Sequence, residues 1–492
     1  MATLERHMIN GLEAAMESWR SATRPLESAR PDCLALGKSV PHFSQGRATS
    51  EYLSVHELMT HLTATGASGM GKSVLLRSIL LQGFVRGIDS GFIDTHDTID
   101  HILEDLTHLV KSGQMNEKQL DRVRVFDLGD TEWTVSLDVC RSRDLFEACR
   151  SANSLLAIVK NYNPADAIGP QTEEAMHHLF QFICEAGLSL IDSERVLRDE
   201  RFRRSKLDCV RNPETRYFWA RYSSLTPAMQ ARISLPIYNK LSSLTSDPRV
   251  RQSFGIPHGD IDFRAAMDRG QTILINLSRA HHAENIRAYS SFVLHSIQKA
   301  IFSRADTPPD QRRPWLLIAD EVQSFAAGST LLSPLLRESR KFRVGLVLAL
   351  QDFSSIDKEL LQSIHTNVST RMLFRQSQDE AKRALAGLRA EDASVGARQL
   401  STLPIGSAML IRNGGLRGII RLPYTEYPPL NESQSIQVRK MRRRIGRPFS
   451  LSDSASVATV QSSPTRMRAE ANRITVLDDA LQLDPQLIEG DE

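Results

Sequence analysis

The sequence predicts an α/β fold, a mostly parallel sheet with crossover helices that is interrupted by an all-helical insertion. Three observations predict it. Short apolar runs alternate with longer amphipathic ones from about residue 53 onward, the strand, helix, strand order that parallel pairing requires. One of these runs passes through a glycine-rich turn straight into a helical pattern. Strand-like alternation then disappears between roughly 160 and 260 and returns afterwards, as it does when two stretches of chain build one sheet.

Residues 1–50 begin with a charged amphipathic run, MATLERHMINGLEAAMESWR, and loosen into Pro, Ser and Arg, which reads as a helix and an irregular linker. The first part of the α/β domain occupies 51–160, with strands at HLTATG, SGFIDTH and RVRVFDL and helices at SVLLRSILLQGFVRG and TIDHILEDLTHLVKSG. Residues 161–260 form the insertion. There, amphipathic segments such as EEAMHHLFQFICEAGLSLI and RFRRSKLDCVRNPETRYFWARY are punctuated by prolines at 164, 170, 213, 227, 236 and 248. The second part, 261–430, resumes with strands at QTILINL, PWLLIADE, VGLVLAL, TRMLFR and AMLIR, and with helices at YSSFVLHSIQKAIFSR and over 331–341. Residues 431–492 carry a basic run, VRKMRRRIGRP, then a Ser-rich stretch, then an acidic end. The middle of that tail lacks the apolar surface that would offset its ordering entropy, so it is expected to be disordered.

At 492 residues, 41% of them hydrophobic, the chain can build two substantial cores. Lys and Arg number 61 against 58 Asp and Glu, a net charge of +3, so the chain is no nucleic-acid coat and any such contact must be local. Cysteines at 33, 140, 149, 184 and 209 include no CxxC pair and no His at metal-ligand spacing, and read as buried, reduced thiols. No apolar run approaches the roughly 20 residues of a membrane helix, and the start is no signal peptide. This predicts a cytoplasmic protein without an integral membrane segment.

The segment Gly66, Ala67, Ser68, Gly69, Met70, Gly71, Lys72, Ser73 fits GxxxxGK[ST], follows a predicted strand and opens a predicted helix. Its glycines permit a tight loop whose amides point at phosphate oxygens, and the helix N-terminus adds partial positive charge. Lys72 would neutralise the outer phosphates and Ser73 would ligate magnesium, which makes ATP or GTP the expected substrate and Mg²⁺ the cofactor. PWLLIADE ends an apolar strand in adjacent carboxylates. Asp320 is expected to hold the metal, and Glu321 to act as general base on the attacking water. The next strand delivers Gln351 to the same sheet edge, where it would sense the γ-phosphate.

These segments, taken in order, resemble the HerA/FtsK superfamily of P-loop ATPases. HELMTHLTATGASGMGKSVLL is similar to that family's phosphate-loop region, and GFIDTHDTIDHILEDL to its aspartate-proline-histidine-glycine segment. RVRVFDLGDTEWTVSLDV, QTILINLSRAHHAENIRAYSSFVL, DEVQSFAAGSTLLSPLLRESRKFRVGLVLALQDFSSI and HTNVSTRMLFRQSQDEAKRAL follow in the family's order, over about 52–425. The resemblance is greatest to the soluble ATPase domain of type IV secretion, or conjugative, coupling proteins. It implies a RecA-like domain in a homo-hexameric ring, with DNA in the central channel and relaxosome or secretion-channel proteins as further partners. It also implies an arginine reaching the neighbour's γ-phosphate. The family's Arg-Lys-aromatic segment falls on Arg340, Lys341 and Phe342, which makes Arg340 the first candidate and Arg371 the second.

Two departures stand out. Thr95 and Asp97 replace the family's proline and glycine around His96, which puts the placement of Asp94 and His96 in question. Coupling proteins also usually carry N-terminal membrane helices and none is read here, so the expectation is a soluble member working with other partners, or one that has lost conjugation altogether. The helical insertion matches in position the all-helical domain at the ring's mouth. Its RYFWARY segment suits either base stacking or core packing, and helical spacing favours the core. Arg439, Lys440, Arg442, Arg443, Arg444 and Arg447 suit sequence-independent phosphate contact, or pairing with a neighbour's acidic C-terminus. Two alternatives to a DNA motor are an ATPase for protein export and a nucleotide-gated binding module of negligible turnover. Glu321 argues against the last, since a pure switch needs no base.

Overall fold

The structure is a computed structural model that describes residues 33–39, 49–96, 98–162, 168–277, 283–324, 328–386, 388, 396–424 and 427–450. The expected N-terminal helix and the Ser-rich, acidic-ended stretch lie outside these residues.

The strands are β1 (Cys33–Ser39), β2 (Ser50–Ser54), β3 (Leu62–Thr65), β4 (Asp89–Asp94), β5 (Val123–Asp127), β6 (Trp133–Thr134), β7 (Thr272–Asn276), β8 (Trp315–Ala319), β9 (Val344–Leu350), β10 (Thr370–Leu373), β11 (Ser407–Arg412), β12 (Gly415–Arg421) and β13 (Arg447–Pro448). Eleven of them form one sheet in the order β2-β1-β12-β11-β10-β3-β9-β8-β4-β7-β5. From β10 to β5 all pairs are parallel, and from β10 to β2 all are antiparallel. Cys33–Ser39 is thus a strand where the sequence reads as linker. Its partner β12, GLRGIIR, lies nearly 400 residues away, so nothing local marks the pairing.

β7, β8 and β9 are buried on both faces, as their continuous apolar runs require. Alternate residues feed opposite layers. Leu316, Ile318, Val347 and Ala349 join one apolar cluster, while Leu317, Ala319, Leu346 and Leu348 join the other. After a short turn α1 (Val55–Leu58), the first layer is covered by α2 (Lys72–Val85) and α3 (Ile99–Lys111). The second is covered by α4 (Leu145–Tyr162) and the insertion, then by α12 (Ala283–Ser303), α13 (Gly328–Glu338), α14 (Lys358–Asn367) and α15 (Gln378–Ala384).

The insertion comprises α5 (Pro170–Glu185), α6 (Ser193–Arg198), α7 (Glu200–Leu207), α8 (Pro213–Ser224), α9 (Pro227–Thr245), α10 (Pro248–Phe254) and α11 (Phe263–Arg269). Four of its prolines stand at helix starts, where the missing N–H costs nothing, and Pro236 lies inside α9. Asn212, Thr226 and Asp247 cap three of these helices with side-chain oxygens. Of RYFWARY, Trp219 and Tyr222 are buried, with Phe218 packed beside them. The Trp219 indole donates to the His178 carbonyl at 3.2 Å. These aromatics are core, and Tyr217 remains 72% exposed. The same apolar cluster runs from Trp219 through Phe254 to Leu348 on the sheet. The insertion therefore shares a core with the α/β layer instead of owning a second one.

The basic run corrects another expectation. Residues Glu432–Arg442 form α16, which packs on α3 and buries Met441. Arg442 reaches Asp100 and, at 3.0 Å, Asp127. Arg443 pairs with Glu132 at 2.5 Å and Arg444 with Asp121. β13 then adds to β6, and the Trp133 indole donates to the Ile445 carbonyl at 2.7 Å. Three of the arginines read as DNA contacts are thereby neutralised within the chain. The cysteines also differ from expectation, for although Cys140 and Cys184 are buried, Cys209 is exposed in the turn after α7.

His61, at φ 68°, is buried under β9. Its Nδ1 accepts the Leu346 N–H at 3.1 Å, which leaves Nε2 to donate to the Leu336 carbonyl at 3.1 Å. Burial pushes its pKa down to about 4. Among the described residues, no helix is long and apolar enough to cross a membrane.

Candidate nucleotide site

The carboxyl ends of β3, β9, β8 and β4 deliver the site to one sheet edge, the usual place for ligands in open α/β sheets. The phosphate loop joins β3 to α2, and two of its glycines are sterically required. A Cβ on Gly66 would stand 2.6 Å from the Phe374 Cβ, and Gly71 caps α2 at φ 116°. The loop is seated by three backbone bonds. Gly66 N–H donates to the Leu350 carbonyl (3.3 Å), Ala67 N–H to that of Arg375 (2.9 Å), and Gly406 N–H to that of Met70 (3.0 Å). Ser68 and Gly69 are exposed at its rim.

Lys72 is buried, and its Nζ donates to the carbonyls of Gly66 (2.7 Å) and Ala67 (3.1 Å). Burial lowers its pKa, and the Glu321 and Asp320 carboxylates oppose that shift. Ser73 Oγ donates to Asp320 Oδ2 at 2.8 Å. This pair of hard oxygen donors fits Mg²⁺, which commonly takes one or two protein oxygens and completes its shell with phosphate and water. The sequence-assigned donors therefore meet in space.

Glu321 is buried and adopts φ 51°, a left-handed conformation that few non-glycine residues hold. Its N–H donates to Asp320 Oδ1 at 3.0 Å, and its own carboxylate accepts from the Gln323 amide. His96 Nε2 lies 3.5 Å from the other carboxylate oxygen. Asp94, fully buried at the end of β4, accepts the backbone N–H groups of His96 (2.9 Å), Thr98 and Ile99 (3.1 Å), so it both caps α3 and positions His96. Burial raises the Asp94 pKa, these bonds oppose it, and Asp320 adds to the rise. Gln351 directly follows the Leu350 carbonyl that holds Gly66, and it is exposed there.

The two arginine candidates separate. Arg371 is buried, its guanidinium donating to the Ala384 carbonyl at 3.0 Å and meeting His365 at 3.2 Å. Arg340 is exposed at the opposite sheet edge, before β9. The seven residues of β9 put it about 20 Å from its own phosphate loop. Sequence reasoning missed Gln323, because a glutamine two positions past a carboxylate pair has no distinguishing pattern.

Residues 228–398 match the family model of the type IV secretion-system coupling protein DNA-binding domain. No curated protein matches the chain. Among solved structures, the fold is similar to that of the bacterial conjugative coupling protein TrwBdeltaN70 in its unbound form, at 16% identity and TM-score 0.53 over 84% of this chain and 91% of that one. It is similar also to plasmid coupling protein TrwB in complex with a non-hydrolysable ATP analogue, at 17% identity and TM-score 0.54 over 83% and 98%. VirB4 of Thermoanaerobacter pseudethanolicus is similar at 14% identity and TM-score 0.54, over 84% and 100%. Phosphate loop, sheet order and these likenesses agree: the chain has a RecA-like α/β fold that carries a phosphate loop and is similar to that of type IV secretion coupling proteins.

Proposed function

We propose that this chain hydrolyses ATP as a homo-hexameric ring and uses the energy to move DNA through the ring's channel. The observation that carries the reading is the meeting of Lys72, Ser73, Asp320 and Glu321 at one sheet edge, in a chain whose residues 228–398 match a coupling-protein DNA-binding domain.

The chemistry follows from the groups present. Lys72 and the loop amides hold the phosphates, and Ser73 and Asp320 would hold Mg²⁺, which supplies charge to offset that of the phosphate oxygens. Glu321 takes the proton of the attacking water, and Gln351 orients that water from the adjacent strand. Arg340, far from its own loop, serves the neighbouring subunit's γ-phosphate.

The test is steady-state hydrolysis against added single- and double-stranded DNA at low and moderate salt, with Lys72→Ala as blank. Stimulation that weakens as salt rises supports a DNA motor, since phosphate contacts release counterions. A second reading, an ATPase that energises protein export, is consistent with the same nucleotide site. Measurable basal turnover with a flat response to DNA would select it.

A further inference from the structure

Glu321 is hydrogen-bonded at one carboxylate oxygen and faces an imidazole at the other. The Gln323 amide donates to one, and the His96 imidazole lies 3.5 Å from the other. A carboxylate oxygen whose lone pair is turned to a side-chain donor is not aimed at the attacking water, and proton abstraction needs that aim. Neither restraining group is sealed inside the protein. His96 is 54% exposed, and together with Gln323, Arg287, Ser324 and Ser355 it lines a cleft of about 450 Å³ beside the nucleotide site. Among the described residues lining this cleft there is no carboxylate, and they offer a guanidinium, an imidazole, hydroxyls and an amide. That is the donor set that grips phosphodiester oxygens without reading bases. Among the described residues the Gln323 Oε1 is buried without a partner, and its Nε2 donates to Glu321.

We propose that Gln323 and His96 hold Glu321 in a restrained state, and that a nucleic-acid phosphate backbone entering the cleft draws both groups away and frees the base. His96 and Gln323 are then positioning residues acting through Glu321, and the cleft makes hydrolysis conditional on cargo. The inference rests on the DNA-motor reading, but its two halves separate experimentally.

The experiment compares hydrolysis, with and without DNA, for wild type, Gln323→Met, Gln323→Ala and His96→Ala, with binding of a fluorescent ADP analogue as the measure of an intact site. Gln323→Met keeps the side chain's length and loses its donor. Removing one restraining bond is expected to raise the DNA-free rate about fivefold, with analogue binding retained and the ratio of stimulated to basal rate falling toward one. Arg287→Ala is expected to raise the DNA concentration needed for half-maximal stimulation. DNA-free rates and stimulation ratios equal to wild type in all three restraint variants would overturn the proposal. A wild type indifferent to DNA defeats the motor reading and the cargo half together. A faster basal rate in Gln323→Met would, even then, support the restraint.

Discussion

Replacing Glu321 with Gln preserves the side chain's size and removes only its ability to accept a proton. The expected result is a fall in kcat of about 100-fold or more, with nucleotide affinity close to wild type, measured by pre-steady-state binding and steady-state turnover. His61 supports a prediction of another kind. Its folded pKa of about 4 lies below the unfolded value near 6.5, so the unfolded chain binds the extra proton between them. Stability from this group is complete above pH 6.5 and is lost as pH falls toward 4, by about 3 kcal/mol at most. Urea unfolding between pH 7 and 5 should show the slope, and His61→Gln should flatten it. At this scale the sequence was most legible where chemistry is local, since a phosphate loop and an Asp-Glu pair ending an apolar strand are recognisable without their surroundings. His96 and Gln323 were less so, because their roles depend on Glu321, which lies 225 residues from the first and is turned by a backbone angle that no pattern announces.

Helices and strands divide along a similar line. Parallel strands buried on both faces read clearly as apolar runs, and the prolines marked the insertion's helices by starting them. The antiparallel edge was illegible because β1 and β12 contain glycine and pair across most of the chain, while β2 is a short polar strand that pairs only with β1. The basic run misled for an electrostatic reason. Charge density alone does not say whether the counter-charges are phosphates or carboxylates of the same molecule. Here Arg442, with a side chain 16% exposed, spans Asp100 and the buried Asp127. Arg442→Ala leaves Asp127 short of its cation and is expected to cost about 3 kcal/mol, seen as a lower urea midpoint. Arg443→Ala, whose partner Glu132 is exposed, should cost less than about 1 kcal/mol.

The distance between Arg340 and its own phosphate loop gives the whole molecule a stoichiometric test. Glu321→Gln subunits keep the arginine, and Arg340→Ala subunits keep the base. Each variant alone should be inactive. Mixed in equal amounts, about a quarter of the interfaces in a head-to-tail ring combine both intact groups, so turnover should reappear on mixing. No recovery would remove Arg340 from the trans role. The seating of the phosphate loop has a consequence for how the protein comes into being. The nucleotide-binding signature is complete by Ser73, yet its floor is the Arg375 carbonyl and its brace the Gly406 amide. A ribosome must therefore add more than 270 further residues before Leu350, the first of the loop's three supports, exists, and more than 300 before the other two do. Nascent chains halted at 360 should fail to retain a fluorescent ADP analogue that chains carried through 449 hold. Affinity for nucleotide then arrives late in synthesis, when the sheet is complete, and no half-made chain competes for ATP.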